Sequence, residues 1–492
     1  MVKTPGLTGL KEWLLRQVLF EKLNNPLGYG LMLICAVGLA LGLSFLSLKG
    51  AVIVVGVLVG IPLLVACFVH LYFGINVMLV CAFLLGLVSK YTDAPIGTAL
   101  DGLLVVLLAG LLAKLVLERD FSFAKSPISI FILAWICYNL LEGMNPWAAS
   151  RMAWIYTVRT VALMLALYFI ACHALNSYQR IVNTVKVILV LSFISALYAL
   201  KQEYIGFSDA EITWLNADEE RFMLIFQWSR LRVFSFFSDP TTFGILMGYM
   251  SLFAFVLAAG PFRKSRKAAL VVAGIAMVLC MAYAGSRTPF VLIPAGILFI
   301  TLLTLKKRTI LLTLFILLAG TAFVMKSTNN AVIWRIQSAF RGDSDDTIEV
   351  RMQNQKKVRP YIQTHPFGAG LGSTGYWGQR FSPESWLSDF AHDSLYVRLA
   401  VETGWVGLLL YLMLLFTALR TSIRYYFRVK DPTIKVLYLG MSISVFLLAL
   451  ASYPQEAITL LPTSIIFYIM LAMIARLKDF DENFRENTVQ RS

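Results

Sequence analysis

The sequence is poor in charge. Only 14% of its 492 residues are Asp, Glu, Lys or Arg, against about a quarter in soluble domains. Mean hydropathy is +0.73, which excludes a water-soluble globular class. Cysteine is sparse too. The six residues Cys35, Cys67, Cys81, Cys137, Cys172 and Cys280 lie in or beside apolar runs. None shows CxxC spacing, so neither a disulfide framework nor a metal knuckle is indicated. No internal repeat is visible, which argues against an inverted-repeat transporter. No P-loop, HExxH or GxSxG occurs in a usable context. The glycines of GAGLGSTG have no strand before them and no crossover unit after them, which rules out a dinucleotide loop. The first 26 residues carry scattered charges and lack the apolar core and cleavage site of a signal peptide. They are expected to form a short amphipathic cytoplasmic helix with Trp13, Leu14, Val18 and Leu19 on one side.

Long apolar runs are what the chain has instead. Hydropathy gives about fourteen spans, near 27–47, 51–69, 72–89, 98–117, 127–141, 153–173, 181–201, 240–260, 268–284, 288–305, 309–325, 395–419, 434–452 and 456–475. The expected fold is an all-α polytopic membrane bundle of about 12–14 transmembrane helices, because only helices satisfy their own backbone in lipid. The +15 net charge is placed by topology rather than by nucleic acid. Basic clusters at Arg263–Lys267, Lys306–Arg308 and Arg420–Lys435 fill short connectors, the cytoplasmic signature. Both termini then lie inside, and connectors 202–239 and 326–394 lie outside. The second carries eight Lys or Arg against seven Asp or Glu. The expected organisation is a cytoplasmic segment 1–26, a bundle 27–325, an outer catalytic loop 326–394, C-terminal helices 395–475 and a cytoplasmic tail 476–492.

The outer side holds the residues suited to chemistry. Residues 346–364 suit an amphipathic helix, and HPFGAGLGSTG is a turn region that brings backbone close to a ligand or takes positive φ. The aromatics of YWGQRFSPESWLSDF suggest a loop lying on the membrane surface. Arg232, Arg287 and Arg351 are candidates to hold a diphosphate, since a guanidinium fork grips two oxygens and stays charged. Several together neutralise a leaving diphosphate without a metal. His392 closes the loop and is the candidate proton acceptor. Asp393 either orients it or caps the helix that follows. Arg159, inside the sixth span, is a functional candidate or a structural ion-pair partner. Arg398 and Glu402 are spaced for an intrahelical pair. His365 is read as positional, and His70 and His173 as lone residues at the cytoplasmic edge. The acidic run with Asp343, Asp345 and Asp346 is read as a solvated loop, so no metal site is expected.

Four elements together resemble the bacterial O-antigen ligase and polymerase superfamily. They are RVFSFFSDP (Arg232 to Pro240, with Ser235 where glycine is usual), GSRT with Arg287, Arg351 followed by HPFGAGLGSTG, and HDSLYVRLAVETGWVG. The second residue of that last element is Asp393, where Asn or Ser is commoner. The resemblance covers residues 230 to 410. It implies a GT-C-like fold in the bacterial inner membrane with the site facing outward. It also implies a glycan donor on undecaprenyl diphosphate and a saccharide or lipid-linked saccharide as acceptor. His392 would be the base, Arg232 and Arg287 would hold the diphosphate, and Arg351 would support loop or donor. Arg159, Asp393, Arg398 and Glu402 are possible supports. Inversion at the anomeric carbon is implied, with no metal, cofactor or nucleic acid. Chain length favours polymerase over lipid A–core ligase. A transporter or flippase, or a non-catalytic assembly factor, are the rival classes.

Overall fold

A computed structural model describes residues 48–92, 96–227, 230–326, 346–390 and 392–481, with isolated positions in 26–38 and 328–340. The expected N-terminal amphipathic helix and most of the first span, 27–47, lie outside the described residues, as do Asp343 and Asp345. The chain divides into two compact units, before and after Ala66–Cys67. Apart from the helix Leu48–Val69, which belongs mostly to the first, everything below concerns the second.

The helices are α1 (Leu48–Val69), α2 (Leu71–Val88), α3 (Ile96–Glu118), α4 (Pro127–Leu141), α5 (Arg151–Ala174) and α6 (Tyr178–Tyr204). After a connector come α9 (Pro240–Ala258), α10 (Lys264–Ala284), α11 (Arg287–Thr304) and α12 (Lys307–Met325). The connector itself holds the short helices α7 (Asp209–Asn216) and α8 (Glu219–Ile225). It also holds a hairpin of β1 (Phe226–Gln227) and β2 (Arg230–Leu231), paired Phe226 with Leu231. A second connector holds α13 (Asp346–Thr364) and α14 (Gly375–Phe381), and the chain ends in α15 (Leu395–Glu402), α16 (Gly404–Arg428), α17 (Pro432–Ala451) and α18 (Thr463–Arg476). Among the described residues the protein is 79% helical with almost no sheet, an all-α polytopic membrane fold.

Ten helices among the described residues are long and apolar enough to cross a membrane, and Leu58–Val69 and Thr309–Met325 are shorter apolar segments. Two of the expected spans differ from the structure. The run 395–419 is not one helix: it breaks between α15 and α16, where Gly404 has φ +67°. A side chain there would overlap the Pro366 carbonyl, so only glycine allows the second connector to dock into the break. The last helix starts at Thr463, not 456, because residues 452–462 form an irregular connector ending in a cis Leu461–Pro462 bond. Gly404→Ala should destabilise the fold by about 1–3 kcal/mol, the usual cost of a forced positive φ with a clash in addition. Thermal unfolding of the purified protein reads this, and an unchanged midpoint would show that the break tolerates a side chain.

α9 is the axis of the bundle. Its apolar residues are buried on all sides, as expected of a helix surrounded by others. It packs on α10, α11 and α17. Its start is fixed by Asp239, whose carboxylate accepts from the Thr241 and Thr242 N–H groups at 3.1 and 2.7 Å, with Pro240 at the first helical position. The other helices keep large apolar side chains on the outside, among them Val116, Leu117, Phe315 and Phe416, as a lipid-facing surface requires.

Both long connectors meet the bundle at the same end as the short breaks at 285–286 and 452–462. The basic clusters lie at the opposite end. Each connector builds a small core of its own: Leu215, Ile225 and Phe234 in the first, and Val358, Ala369, Leu387, Phe390 and Val401 in the second. α13 has the bounds expected for an amphipathic helix. Not all the aromatics after the glycine turn face outward. Trp377 and Phe381 stack on Tyr156 of α5, at 4.7 and 5.2 Å between centroids, while Tyr376 and Trp386 are exposed. Burying those two rings on α5 removes more apolar surface from water than an interfacial position would.

Candidate active site

The first cluster is a corner formed by α9, the end of α10 and the start of α11. Arg232 is buried, and its Nε donates to the Ala284 carbonyl at 2.9 Å and its Nη1 to the Leu224 carbonyl at 3.3 Å. It thereby caps the C-terminus of α10, whose last carbonyls have no helical partner. Burial pulls its pKa down, opposed by Asp239. Arg287 is the first residue of α11, two residues beyond the Gly285 cap beside which Arg232 lies. Ser286 donates to the Thr241 hydroxyl at 3.2 Å, tying this break to the start of α9. Both arginines therefore belong to one corner.

Ser235 explains the shape of the preceding loop. Its φ is +55°, the region that favours glycine. The hydroxyl compensates by donating to the Ser195 carbonyl at 2.6 Å, and Gln202 accepts from the Ser235 N–H at 2.7 Å. Lys90 donates to the Ser235 carbonyl at 2.8 Å. Burial pulls this lysine down to about 7, against the opposing effect of Glu211.

The second cluster surrounds His392. Its Nδ1 lies 3.0 Å from Glu456 Oε1 in the 452–462 connector. Glu456 Oε2 accepts from Arg398 Nη1 at 2.8 Å and from the Thr459 hydroxyl at 3.2 Å. Arg398 Nε lies 3.4 Å from Glu402 one turn on, and Glu402 accepts from Thr374 at 2.7 Å. Thr374 adjoins Gly375, where a Cβ would sit 3.6 Å from His392 Nε2. A closed ring thus joins the glycine turn, α15, the late connector and the histidine. Gly375 has φ +62°, which lets the turn pass over the imidazole without a side chain in the way.

The ring sets the protonation states. Burial works against the ion on Glu456, but the His392 contact and the Arg398 charge outweigh it and hold the carboxyl down at about 2. Burial also works against imidazolium, yet Glu456 outweighs it and His392 is raised above the ordinary histidine value. Glu402 is the largest of the causes that raise Arg398, with burial opposing and Glu456 adding to it. The Glu456 carboxylate favours a proton on Nδ1, which leaves the Nε2 lone pair to act. Both ring nitrogens and Glu456 Oε1 are buried and make no hydrogen bond of good geometry among the described residues, so the 3.0 Å approach is an electrostatic contact at Nδ1.

A cavity of about 270 Å³ opens beside the imidazole. Met352, Asn354 and Gln355 of α13, together with His392, Asp393 and Tyr453, form its walls. Arg351 belongs to the same helix, and its side chain lies outside the described residues. Ser394 caps α15 through the Val397 N–H, so that capping is done by Ser394 while Asp393 lines the cavity. Arg159 pairs with Asp101 of α3 at 3.2 Å in a separate groove. His365 bonds the Tyr361 carbonyl at 3.0 Å and stacks on that ring. Sequence reasoning missed Glu456. Its only signal was an acid at the edge of an apolar run, and the assumed span 456–475 hid it.

Fold and site together define a multi-pass membrane protein with a buried, acid-anchored histidine at one end of its bundle. Residues 268–412 match the model of the O-antigen ligase family. The chain carries that domain, and the match supports the O-antigen ligase/polymerase superfamily and an O-antigen ligase-type membrane glycosyltransferase. The matched segment includes Arg287, Arg351, His392, Arg398 and Glu402, while Arg232 and Glu456 lie outside it. No curated protein matches the chain.

Proposed function

We propose that the protein transfers a glycan from undecaprenyl diphosphate to an acceptor sugar hydroxyl on the outer face of the inner membrane. The observation that carries this is the buried His392, whose Nδ1 lies 3.0 Å from Glu456 and which lines a cavity beside α13. That is how a general base is presented to a substrate. In the reaction, the acceptor oxygen attacks the anomeric carbon. Its proton goes to His392 Nε2, the bond from that carbon to the phosphate oxygen breaks, and polyprenyl diphosphate leaves. A single displacement inverts the anomeric centre. Arg287, together with the Arg232 donors not taken by the Ala284 and Leu224 carbonyls, holds the diphosphate and neutralises the charge that develops on it, and Arg351 supports the loop or the donor. Arg398 and Glu402 anchor Glu456 and the glycine turn. Arg159 supports the bundle through Asp101. In the polymerase form of this reading, the acceptor is a second lipid-linked glycan.

The outward orientation rests on the basic clusters at the end opposite the site. A reporter fused at Ser344 should behave as exported and one at Lys264 as cytoplasmic. The reverse pair of results would sink this function, because a donor assembled inside is used outside.

Arg287→Ala should raise the donor KM and lower turnover together, since it removes a charge-assisted contact worth about 1.5–3 kcal/mol. Arg287→Lys should recover only part of the loss, because a point charge lacks the fork. Donor consumption by the purified protein measures both, and the parent enzyme should keep its rate in chelator. Unchanged donor KM in Arg287→Ala, or a strict divalent requirement, would overturn the arginine-based account.

A further inference from the structure

A second cavity shares Arg398, Glu402 and Glu456 with the His392 cluster. It has a volume of about 260 Å³ and reaches into the bundle between α4, α5, α16 and α18. Arg398, Glu402 and Glu456 form its roof, and Trp135, Trp377, Tyr411 and Tyr468 supply aromatic walls. Three uncharged polar side chains in its lining are more than nine-tenths buried: Asn139, Thr157 and Ser464. Asn139 Oδ1, Thr157 Oγ1 and Ser464 Oγ have no hydrogen-bond partner among the described residues. The Asn139 amide already donates to the Trp135 carbonyl at 2.6 Å, so its oxygen is the group left over.

We propose that this inner cavity binds one uncharged sugar unit, a reading that rests on the glycosyltransferase assignment above. An anion does not fit. The roof sets two carboxylates against one guanidinium, and Arg398 is already engaged by Glu402 and Glu456. A phosphate would meet net negative charge. A prenyl chain does not fit either. It would strand three buried polar atoms without partners. A neutral pyranose satisfies both conditions. Its hydroxyls donate to Asn139 Oδ1 and exchange bonds with Thr157 and Ser464, and its C–H faces lie on the aromatic walls. A few polar groups within a mostly apolar lining are the usual composition of a small-ligand site. The sugar belongs to either the donor or the acceptor, since both carry the same chemistry.

The test uses the full chain in lipid nanodiscs. Glucose, galactose and N-acetylglucosamine are titrated separately by saturation-transfer NMR, with inorganic pyrophosphate as competitor. At least one sugar should bind saturably. Thr157→Val and Ser464→Ala should each weaken it about tenfold, one lost hydrogen bond, and pyrophosphate should not displace it. Ser464→Ala removes a single atom and carries the test if Thr157→Val does not fold. Saturation by none of the three sugars, parental affinity in the folded variants, or displacement by pyrophosphate would each overturn the site. In turnover, the same variants should raise the KM of only one substrate, which identifies the source of the sugar. A rise in neither KM also overturns it. Binding is read at equilibrium without chemistry, so failure here is distinct from failure of His392 as base.

Discussion

His392→Ala should slow glycan transfer by ~10²–10⁴-fold, the usual worth of a positioned proton acceptor, while the protein folds and binds donor. The side chain is mostly buried, but it makes its ion pair at the rim of the bundle rather than in the main apolar core. Its loss therefore removes chemistry more than stability. Consumption of lipid-linked donor at matched protein level is the measurement, with donor accumulating in cells. The arginine corner is separate from the His392 ring in its described contacts, so donor affinity should stay within a few-fold. Near-parental turnover would return His392 to a structural role beside the start of α15.

Glu456→Gln should have the next largest effect, because it keeps the volume and removes the charge. Turnover should fall about tenfold to a hundredfold, at or below the bottom of the range for a lost acid–base group because the base itself remains, and the pH profile should move. In the parent, His392 is raised above the ordinary 6.5. It accepts a proton only once free of its own, so the ascending limb of kcat/KM should lie above that pH. Without the carboxylate, burial and Arg398 both push the imidazole down, and the limb should move to lower pH. Glu456→Asp keeps the charge on a shorter arm and should retain a limb near the parental one. A profile in Glu456→Gln that superimposes on the parent, or shifts upward, would show that Glu456 does not set the state of the base. A purely structural Glu456 would instead lower activity at all pH values alike.

Much of this protein is legible from hydropathy alone. Apolar runs report helices directly, since a helix in lipid must satisfy its own backbone. Ten of the spans read from the sequence have counterparts long enough to cross a membrane. The 395–419 run misled because hydropathy has no term for one glycine that must take φ +67° to admit a distant loop. The sequence brought forward His392, Arg232, Arg287 and Arg351 by chemical type and by their common end of the chain's topology. It did not show that Arg232 is committed to the end of α10, or that Arg159 turns to Asp101.

By itself, then, the sequence determined the membrane-spanning class, the segregation of basic connectors from the long polar ones, and the residue types able to carry phosphate and proton chemistry. Those properties depend on local composition and period, which a linear chain displays openly. The partnership of His392 with Glu456, 64 positions later, was decided only in three dimensions, as was the closure through Arg398, Glu402 and Thr374. It depends on α17 and the irregular 452–462 connector folding back onto α15, with the Leu395 N–H donating to the Ser452 carbonyl at 3.1 Å. Contacts between segments so far apart are set by how helices pack and where the chain breaks, and no periodicity in the sequence encodes which acid meets which base.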